Sequence, residues 1–354
     1  MRLLDERPAT SFAAATFAPA PAEERGLDRD ATRLLVARPE GVEHARFRDL
    51  AGFLDPGDVV VVNNSATVAG QLDAVSDRRG PVVLHVATPL DDGTWVVELR
   101  TAPDAARPVL DAGPGEEIRT GPVRLRLVAP YPRADSSPTG TGDRLWQAST
   151  EGDLACHAAR HGRPISYGYL DRRYPLAAYQ TVFATEPGSA EMPSAGRPFT
   201  RSLVTELVSR GVAVAPVTLH TGVSSQEAGE APQPERFAVS ASTARLVEAA
   251  RAGGGRVVAV GTTVTRALES AVDATGRLVA TRGWTERVVT PGDPPRVVTG
   301  LVTGWHDPAA SHLLLVEAVA GTGLTQAAYD AAVAGGYLWH EFGDAGLFLA
   351  PRRR

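Results

Sequence analysis

The run Asp58-Val59-Val60-Val61-Val62, closed by Asn63-Asn64, restricts the fold more than any other stretch of the chain. Consecutive β-branched residues ended by turn formers read as a strand, and an apolar run of this kind is buried on both faces. Such a strand sits inside a sheet with helices packed above and below it. Residues 201–210 read as a helix opened by Thr200 and stopped by Gly211. Residues 240–252 read as a second, stopped by Gly253-Gly254-Gly255, and residues 264–272, 311–319 and 325–333 as three more. Between them, residues 212–219, 256–260 and 297–302 read as strands. Strands alternating with helices predict a partly parallel sheet covered by helices.

The texture changes between residues 71 and 147. Short β-patterned runs at 82–86, 94–100 and 123–128 alternate with Gly, Pro and Asp turns and leave little room for helices. That spacing predicts a small antiparallel sheet or barrel, closed by the Ser/Pro/Gly/Thr-rich loop 133–142. Residues 17–32 read as an entry loop, and there is no internal repeat. The expected architecture is α/β: a large mixed domain formed by residues 1–70 and 148–354, with a small all-β barrel-like domain inserted at 71–147.

Composition then removes whole classes of chemistry. All 36 basic residues are arginine, against 41 acidic ones, for a formal charge of -5, so no broad basic surface advertises nucleic acid. Without lysine there is no Schiff base, no pyridoxal anchor and no Walker-A amine. Cys156 is the single cysteine, which excludes a disulfide framework and a zinc cluster. The first 17 residues lack an apolar export core, and no stretch reaches 18 uninterrupted apolar residues. The expectation is a cytoplasmic protein with no membrane partner. The tail Arg352-Arg353-Arg354 is too short for a nucleic-acid arm. The chain contains no G-x-G-x-x-G after a strand, no G-x-x-x-x-G-K, no G-x-S-x-G and no H-E-x-x-H.

In α/β sheets ligands bind beyond the carboxyl ends of the strands. That rule selects Asn63-Asn64-Ser65, Thr218-Leu219-His220-Thr221-Gly222, Gly261-Thr262-Thr263 and Thr303-Gly304-Trp305-His306. At the third, Gly261 permits close backbone approach, Thr262 or Thr263 can cap the following helix, and the helix N-terminus offers N–H groups to a carboxylate. Arg266 lies a turn further in and Glu269 three residues beyond it, a pattern that an ordinary i,i+3 ion pair explains equally well. His220 and His306 are candidate proton-transfer groups, although a histidine at a strand end is more often a hydrogen-bonded structural residue. His157 and His161 stand four apart beside Cys156 with no third ligand, so a solvated face is expected there, and no metal.

These points fall within a longer ordered series. It comprises Pro56-Gly57-Asp58 leading to Asn63-Asn64, Tyr179-Gln180-Thr181-Val182-Phe183, Pro193-Ser194-Ala195-Gly196-Arg197-Pro198-Phe199 and Val217-Thr218-Leu219-His220. Further on come Val260-Gly261-Thr262-Thr263-Val264-Thr265-Arg266-Ala267-Leu268-Glu269-Ser270, Leu301-Val302-Thr303-Gly304-Trp305-His306 and Phe342-Gly343-Asp344-Ala345. The series resembles, nearly end to end, the S-adenosylmethionine:tRNA ribosyltransferase-isomerase family of queuosine biosynthesis. The resemblance implies a large α/β domain with a small inserted β-barrel. It also implies S-adenosylmethionine as co-substrate: its ribosyl portion passes to the aminomethyl nitrogen of a 7-deazaguanine base in tRNA and rearranges to an epoxycyclopentane, and adenine and methionine leave.

On that resemblance, His220 and His306 become the candidates for proton transfer, with Glu269 or Glu235 as orienting or basic groups. Gly261, Thr262, Thr263 and Arg266 become the site for the methionine carboxylate. The matching blocks add Asn63, Asn64, Tyr179, Gln180, Ser194, Gly196, Phe199, Thr218, Gly343 and Asp344 as expected substrate contacts. The chain departs from the family pattern where Ala66 and Gln71 replace two arginines and Pro198 replaces a histidine. These departures put the tRNA partner in question. They leave as alternatives a divergent S-adenosylmethionine-dependent transferase or lyase with a small-molecule acceptor, and a non-catalytic S-adenosylmethionine-binding homologue.

Overall fold

The Val59–Asn63 strand lies fourth in a nine-stranded sheet and is buried along its whole length. Val59 and Val61 point into one core with Val264, Leu268 and Trp305. Val60 and Val62 point into a second core with Phe47, Phe199 and Leu203 on the opposite face. Each valine, removed from water on both sides, contributes roughly 1.5–3 kcal/mol of transfer free energy. The computed structural model describes residues 6–13, 16–134, 142–166, 168–223, 230–308 and 310–350. Most of the 133–142 loop and the arginine tail therefore fall outside the described residues.

Across the sheet the order is Thr281–Thr285, Glu235–Val239, Ala213–Leu219, Val59–Asn63, Val257–Val260, Gly300–Gly304, Ala345–Leu349, Arg33–Arg38 and Gly41–Arg46. The four strands from Ala213–Leu219 to Gly300–Gly304 are mutually parallel, and antiparallel pairs flank them on both sides. Helix Arg201–Ser209 is opened by the Thr200 side chain, which accepts from the Leu203 N–H, and it buries Leu203 and Leu207 in the second core. Helix Ala241–Ala252 is opened in the same way by Ser240, on the Thr243 N–H. Helix Thr262–Ser270 covers the first core.

Several boundaries differ from the sequence reading, two of them for a plain physical reason. The strand expected at 297–302 runs instead over Gly300–Gly304, because the Val297 and Val298 N–H groups donate to the Glu269 carboxylate and not to a neighbouring strand. The helix expected from 264 starts at Thr262. Gly261, at a φ of 98° that favours glycine, takes the cap position, so neither Thr262 nor Thr263 caps the helix as expected. The flanking strands escaped the sequence reading because they lack a clean period: Gly41–Arg46 is exposed at nearly every position.

The second unit is a closed six-stranded antiparallel barrel of Gln71–Ser76, Gly80–Pro89, Trp95–Thr101, Glu117–Thr120, Val123–Pro130 and Leu145–Glu151. Leu72, Leu84, Val97, Leu99, Leu125 and Trp146 fill its interior. An ionic cluster is buried among them. The Glu98 carboxylate, fully shielded from solvent, accepts from Arg100 at 2.9 Å and Arg144 at 3.1 Å and contacts His85 at 3.1 Å. Although burial opposes ionisation, His85 and the two guanidinium groups outweigh it and bring Glu98 down to about 2. Helix Leu154–His161 packs Leu154 and Ala158 onto the barrel. His157 contacts the Thr120 hydroxyl at 3.2 Å, and its ring lies 4.9 Å from that of His161. Among the described residues no group of three or more His, Cys, Asp and Glu side chains is arranged to hold a metal ion. Nor does any helix among them have the length and apolarity to cross a membrane.

Candidate functional site

The four strand ends singled out in the sequence belong to the four adjacent parallel strands, so their carboxyl ends open on one edge of the sheet. A cavity sits there. Ser194, Gly261, Thr262, Thr263, Arg266, Glu235 and His306 line it, which unites seven of the expected site residues. The lining also carries four that the sequence reading missed: Glu191, His312, His340 and Glu341.

Helix Thr262–Ser270 starts at this cavity with no side-chain cap, and its first-turn Thr262 and Thr263 are on the lining. An uncapped helix N-terminus facing a cavity suits a carboxylate. Arg266 does not extend that site as expected. Its Nε–H donates to the Arg287 carbonyl, Nη1 to Glu235, and Nη2 to the carbonyls of Gln233 and Thr285. The guanidinium is committed to protein partners, and its role is to hold Glu235. That carboxylate also accepts from the Gly222 N–H at 3.2 Å. Burial raises its pKa in spite of the adjacent guanidinium, so it is a more basic carboxylate than a surface glutamate.

Three imidazoles face the same space. His306 contacts the Thr303 hydroxyl at 2.9 Å, while its backbone N–H donates to the Tyr329 hydroxyl at 3.2 Å. Its ring stacks on that of His312 at 5.0 Å. Burial, followed by the neighbouring His312 and His340, pushes His306 well below the usual imidazole range. Burial likewise takes His312, with Arg266 nearby, and His340 down to about 4. Near neutral pH all three are uncharged and act as hydrogen-bonding groups or proton acceptors. His340 adopts a φ of 76°, an uncommon left-handed conformation for a non-glycine residue. A sequence signal for this wall did exist: His340-Glu341 directly precedes the Phe342-Gly343-Asp344-Ala345 block.

The remaining expected residues lie off the cavity lining, and their bonds show bracing work. Asn63 donates to the Leu219 carbonyl and accepts from the Ser65 and Leu219 N–H groups, tying two strand ends together. Asn64 accepts from the Thr218 hydroxyl at 2.7 Å. Gln180 exchanges two hydrogen bonds with the Thr67 backbone, and the Tyr179 carbonyl accepts from the Thr67 hydroxyl. Phe199 packs against Phe47 and Phe183 in the core, and Gly196 lies against the Thr181 side chain. The Asp344 carboxylate accepts from the Arg33 and Leu338 N–H groups and so fixes the turn that presents His340 and Glu341. Gly343 is required in that turn because a Cβ there would meet the Leu338 carbonyl.

Two proton-transfer candidates are also placed elsewhere. The Glu269 carboxylate accepts from the N–H groups of Arg296, Val297 and Val298 at 2.7, 2.9 and 2.9 Å, a structural role in place of the expected catalytic one. His220 hydrogen-bonds Ser65 at 2.8 Å, Ser65 hydrogen-bonds Ser189 at 2.6 Å, and the ring fits against Gly188, where a Cβ would collide with it. It neighbours the cavity through Thr221 and Gly222 but is not brought together with His306. Gln71, at one of the two arginine departures, is buried in the barrel at 1% exposure beside His85. A residue enclosed in this way presents no surface to a phosphate backbone, so the loss of arginine there carries no weight against a nucleic-acid partner.

The chain is similar to known proteins over almost its full length. The family model described as queuosine biosynthesis protein matches residues 11–348. The S-adenosylmethionine:tRNA ribosyltransferase-isomerase of Acidiphilium cryptum is 36% identical over 346 residues, covering 92% of this chain and 94% of that protein. The enzyme of the same name from Thermus thermophilus is 36% identical over 340 residues, covering 93% and 95%. The crystal structure of S-adenosylmethionine tRNA ribosyltransferase from Thermotoga maritima superposes with a TM-score of 0.51 at 26% identity, covering 94% of this chain and 96% of that one.

Proposed function

The chain belongs to the queuosine biosynthesis protein family, and from that premise we propose that it is an S-adenosylmethionine:tRNA ribosyltransferase-isomerase. It transfers the ribosyl portion of S-adenosylmethionine to a 7-aminomethyl-7-deazaguanine base in tRNA and isomerises it, releasing adenine and methionine. One observation carries the reading at the level of the site: the cavity at the carboxyl ends of the parallel strands is lined by the matching blocks, Ser194, Gly261-Thr262-Thr263 and His306 among them.

The reaction needs an anion seat for the methionine carboxylate, a base for the proton beside the sulfonium, and polar groups for the departing adenine. The first-turn amides at Thr262 and Thr263 supply the first. Glu235, raised by burial and positioned by Arg266, and His306, held neutral, are the bases on the lining. Ser194 supplies a hydroxyl. The alternative of a small-molecule acceptor has no observation in its favour, and tRNA is retained as partner. The reaction as written calls for no metal. A single cysteine supports the reading of a cytoplasmic protein.

The test is to incubate the protein with S-adenosylmethionine, with and without tRNA carrying the aminomethyl base, and to follow adenine and methionine by chromatography. Release that depends on the tRNA is the expected result. Release that ignores tRNA, or no release at all, overturns the reading.

A further inference from the structure

Glu341 lines the cavity, and its Oε2 is shut off from solvent with no hydrogen-bond partner among the described residues. A buried carboxylate oxygen without a donor is costly to a fold and persists where a ligand completes it. The turn that carries it is built with some effort: His340 before it stands at a φ of 76°, Gly343 admits no side chain, and Asp344 pins the backbone on both sides. Glu191 lines the same cavity, and its negative charge acts on Glu341.

Among the described residues on the cavity lining, Arg266 is the single guanidinium. Tyr169, a phenol and not a cation, favours the ionised form of Glu341. His340, His306 and His312 are uncharged near neutral pH. Asp307 and Glu235 add acidity, and Arg266 is engaged with Glu235. This wall is therefore a seat for a cation supplied from outside. The acceptor named above is a primary amine, protonated in water, that must lose a proton before its nitrogen can attack.

Resting on that reading of the acceptor, we propose that Glu341 and Glu191 seat the acceptor's ammonium group and that Glu341 takes its proton. In this step one N–H bond breaks, its electron pair stays on nitrogen, and the proton forms an O–H bond on the Glu341 carboxylate. An ammonium and a carboxylate become an amine and a carboxylic acid, with no other reactant. Burial and the Glu191 charge push Glu341 up to about 8. It is thus protonated at rest, gives that proton to solvent when the cation arrives, and is then far more basic than a surface glutamate.

The experiment pairs a binding readout with a kinetic one. The free base 7-aminomethyl-7-deazaguanine is titrated calorimetrically at pH 7 in two buffers of different ionisation enthalpy. The wild-type protein is expected to release about one proton per base bound, and Glu341→Gln none. In turnover with tRNA carrying the base, Glu341→Gln is expected to lose about 100-fold in kcat/KM and the ascending limb of its pH profile near 8. Glu341→Asp is expected to recover part of both, which a purely structural role would not produce. Unchanged proton release in Glu341→Gln, a retained limb, or no binding of the base to wild type each overturns the proposal. So does a loss of affinity for S-adenosylmethionine in place of the base, which would assign the seat to the amino group of that co-substrate. Adenine release by wild type without any acceptor would instead remove the reading on which the proposal rests, while the calorimetry still decides whether the seat binds an amine.

Discussion

Glu269 and Arg266 sit three residues apart on one helix, and their spacing alone predicts an ion pair that the fold does not make. Glu269 turns to three backbone N–H groups of the 296–298 segment, while Arg266 turns to Glu235, a residue 31 positions away. Local spacing specifies which side chains can meet on a helix, but not which distant backbone arrives to compete for them. This separates two expectations at residue scale. Glu269→Ala leaves three N–H groups with reduced satisfaction, each costing about 1–3 kcal/mol where buried. Urea unfolding is expected to show a loss of about 3 kcal/mol, with kcat of the folded protein within about threefold of wild type. A hundredfold loss of kcat at unchanged stability would restore a catalytic role. Arg266→Met strips the buried Glu235 of its counter-ion and is expected to cost about 3–5 kcal/mol. Adding Glu235→Gln to that variant removes the stranded charge, so the double variant should regain more than half of the lost stability. If it regains none, Arg266 stabilises through its contacts with the Arg287, Gln233 and Thr285 carbonyls and not through Glu235.

At the scale of elements, the readable part of the chain was the part whose pattern depends on burial alone. Val59–Asn63, Ala213–Leu219 and Val257–Val260 are apolar strands ended by turn formers, and the last two lead into the cavity lining at Thr221 and Gly261. The rule that ligands gather at such ends found Gly261 and His306 from sequence. It could not find the wall formed by His340 and Glu341, because they follow a two-residue strand, Leu338–Trp339, with no periodicity to read. That wall is made by a turn, and its geometry is set by Gly343. A Cβ there would lie 2.3 Å from the Leu338 carbonyl and 2.7 Å from the Trp339 carbonyl, so the backbone must move. Gly343→Ala is expected to destabilise the protein by about 2 kcal/mol or more and to displace His340 and Glu341 from the cavity. The check is a drop in kcat/KM for the acceptor that exceeds any change in affinity for S-adenosylmethionine. Equal loss in both would mean that the whole edge of the sheet, and not this turn, had shifted.

Across the whole molecule, the barrel and the sheet are joined by a buried ionic path. The Arg144 guanidinium donates to Glu98 inside the barrel and to Glu230, Gln233 donates to Glu230, and the Gln233 carbonyl accepts from Arg266 beside the cavity. Burying so many ionisable groups makes the stability of the fold depend on pH, and the signs can be worked out from their shifts. Glu341 is raised from 4.5 to about 8, so between those values the folded state holds a proton that the unfolded chain has lost, and stability falls as pH rises. His312 and His340 are lowered from 6.5 to about 4, so between those values the unfolded chain binds protons that the folded state refuses, and stability falls as pH drops. Two histidines outweigh one glutamate below 6.5, and Glu98, lowered from 4.5 to about 2, adds to the acid loss below 4.5. Each fully shifted group contributes about 1.4 kcal/mol per pH unit within its window. These groups therefore place the stability maximum near pH 6.5, with an alkaline limb that belongs to Glu341. Urea unfolding from pH 4 to 8.5 should show that maximum in the wild-type protein and a flattened alkaline limb in Glu341→Gln, with the acid limb preserved. An alkaline limb that survives the substitution would place the lost proton elsewhere and show that Glu341 is already ionised at neutral pH in the folded protein.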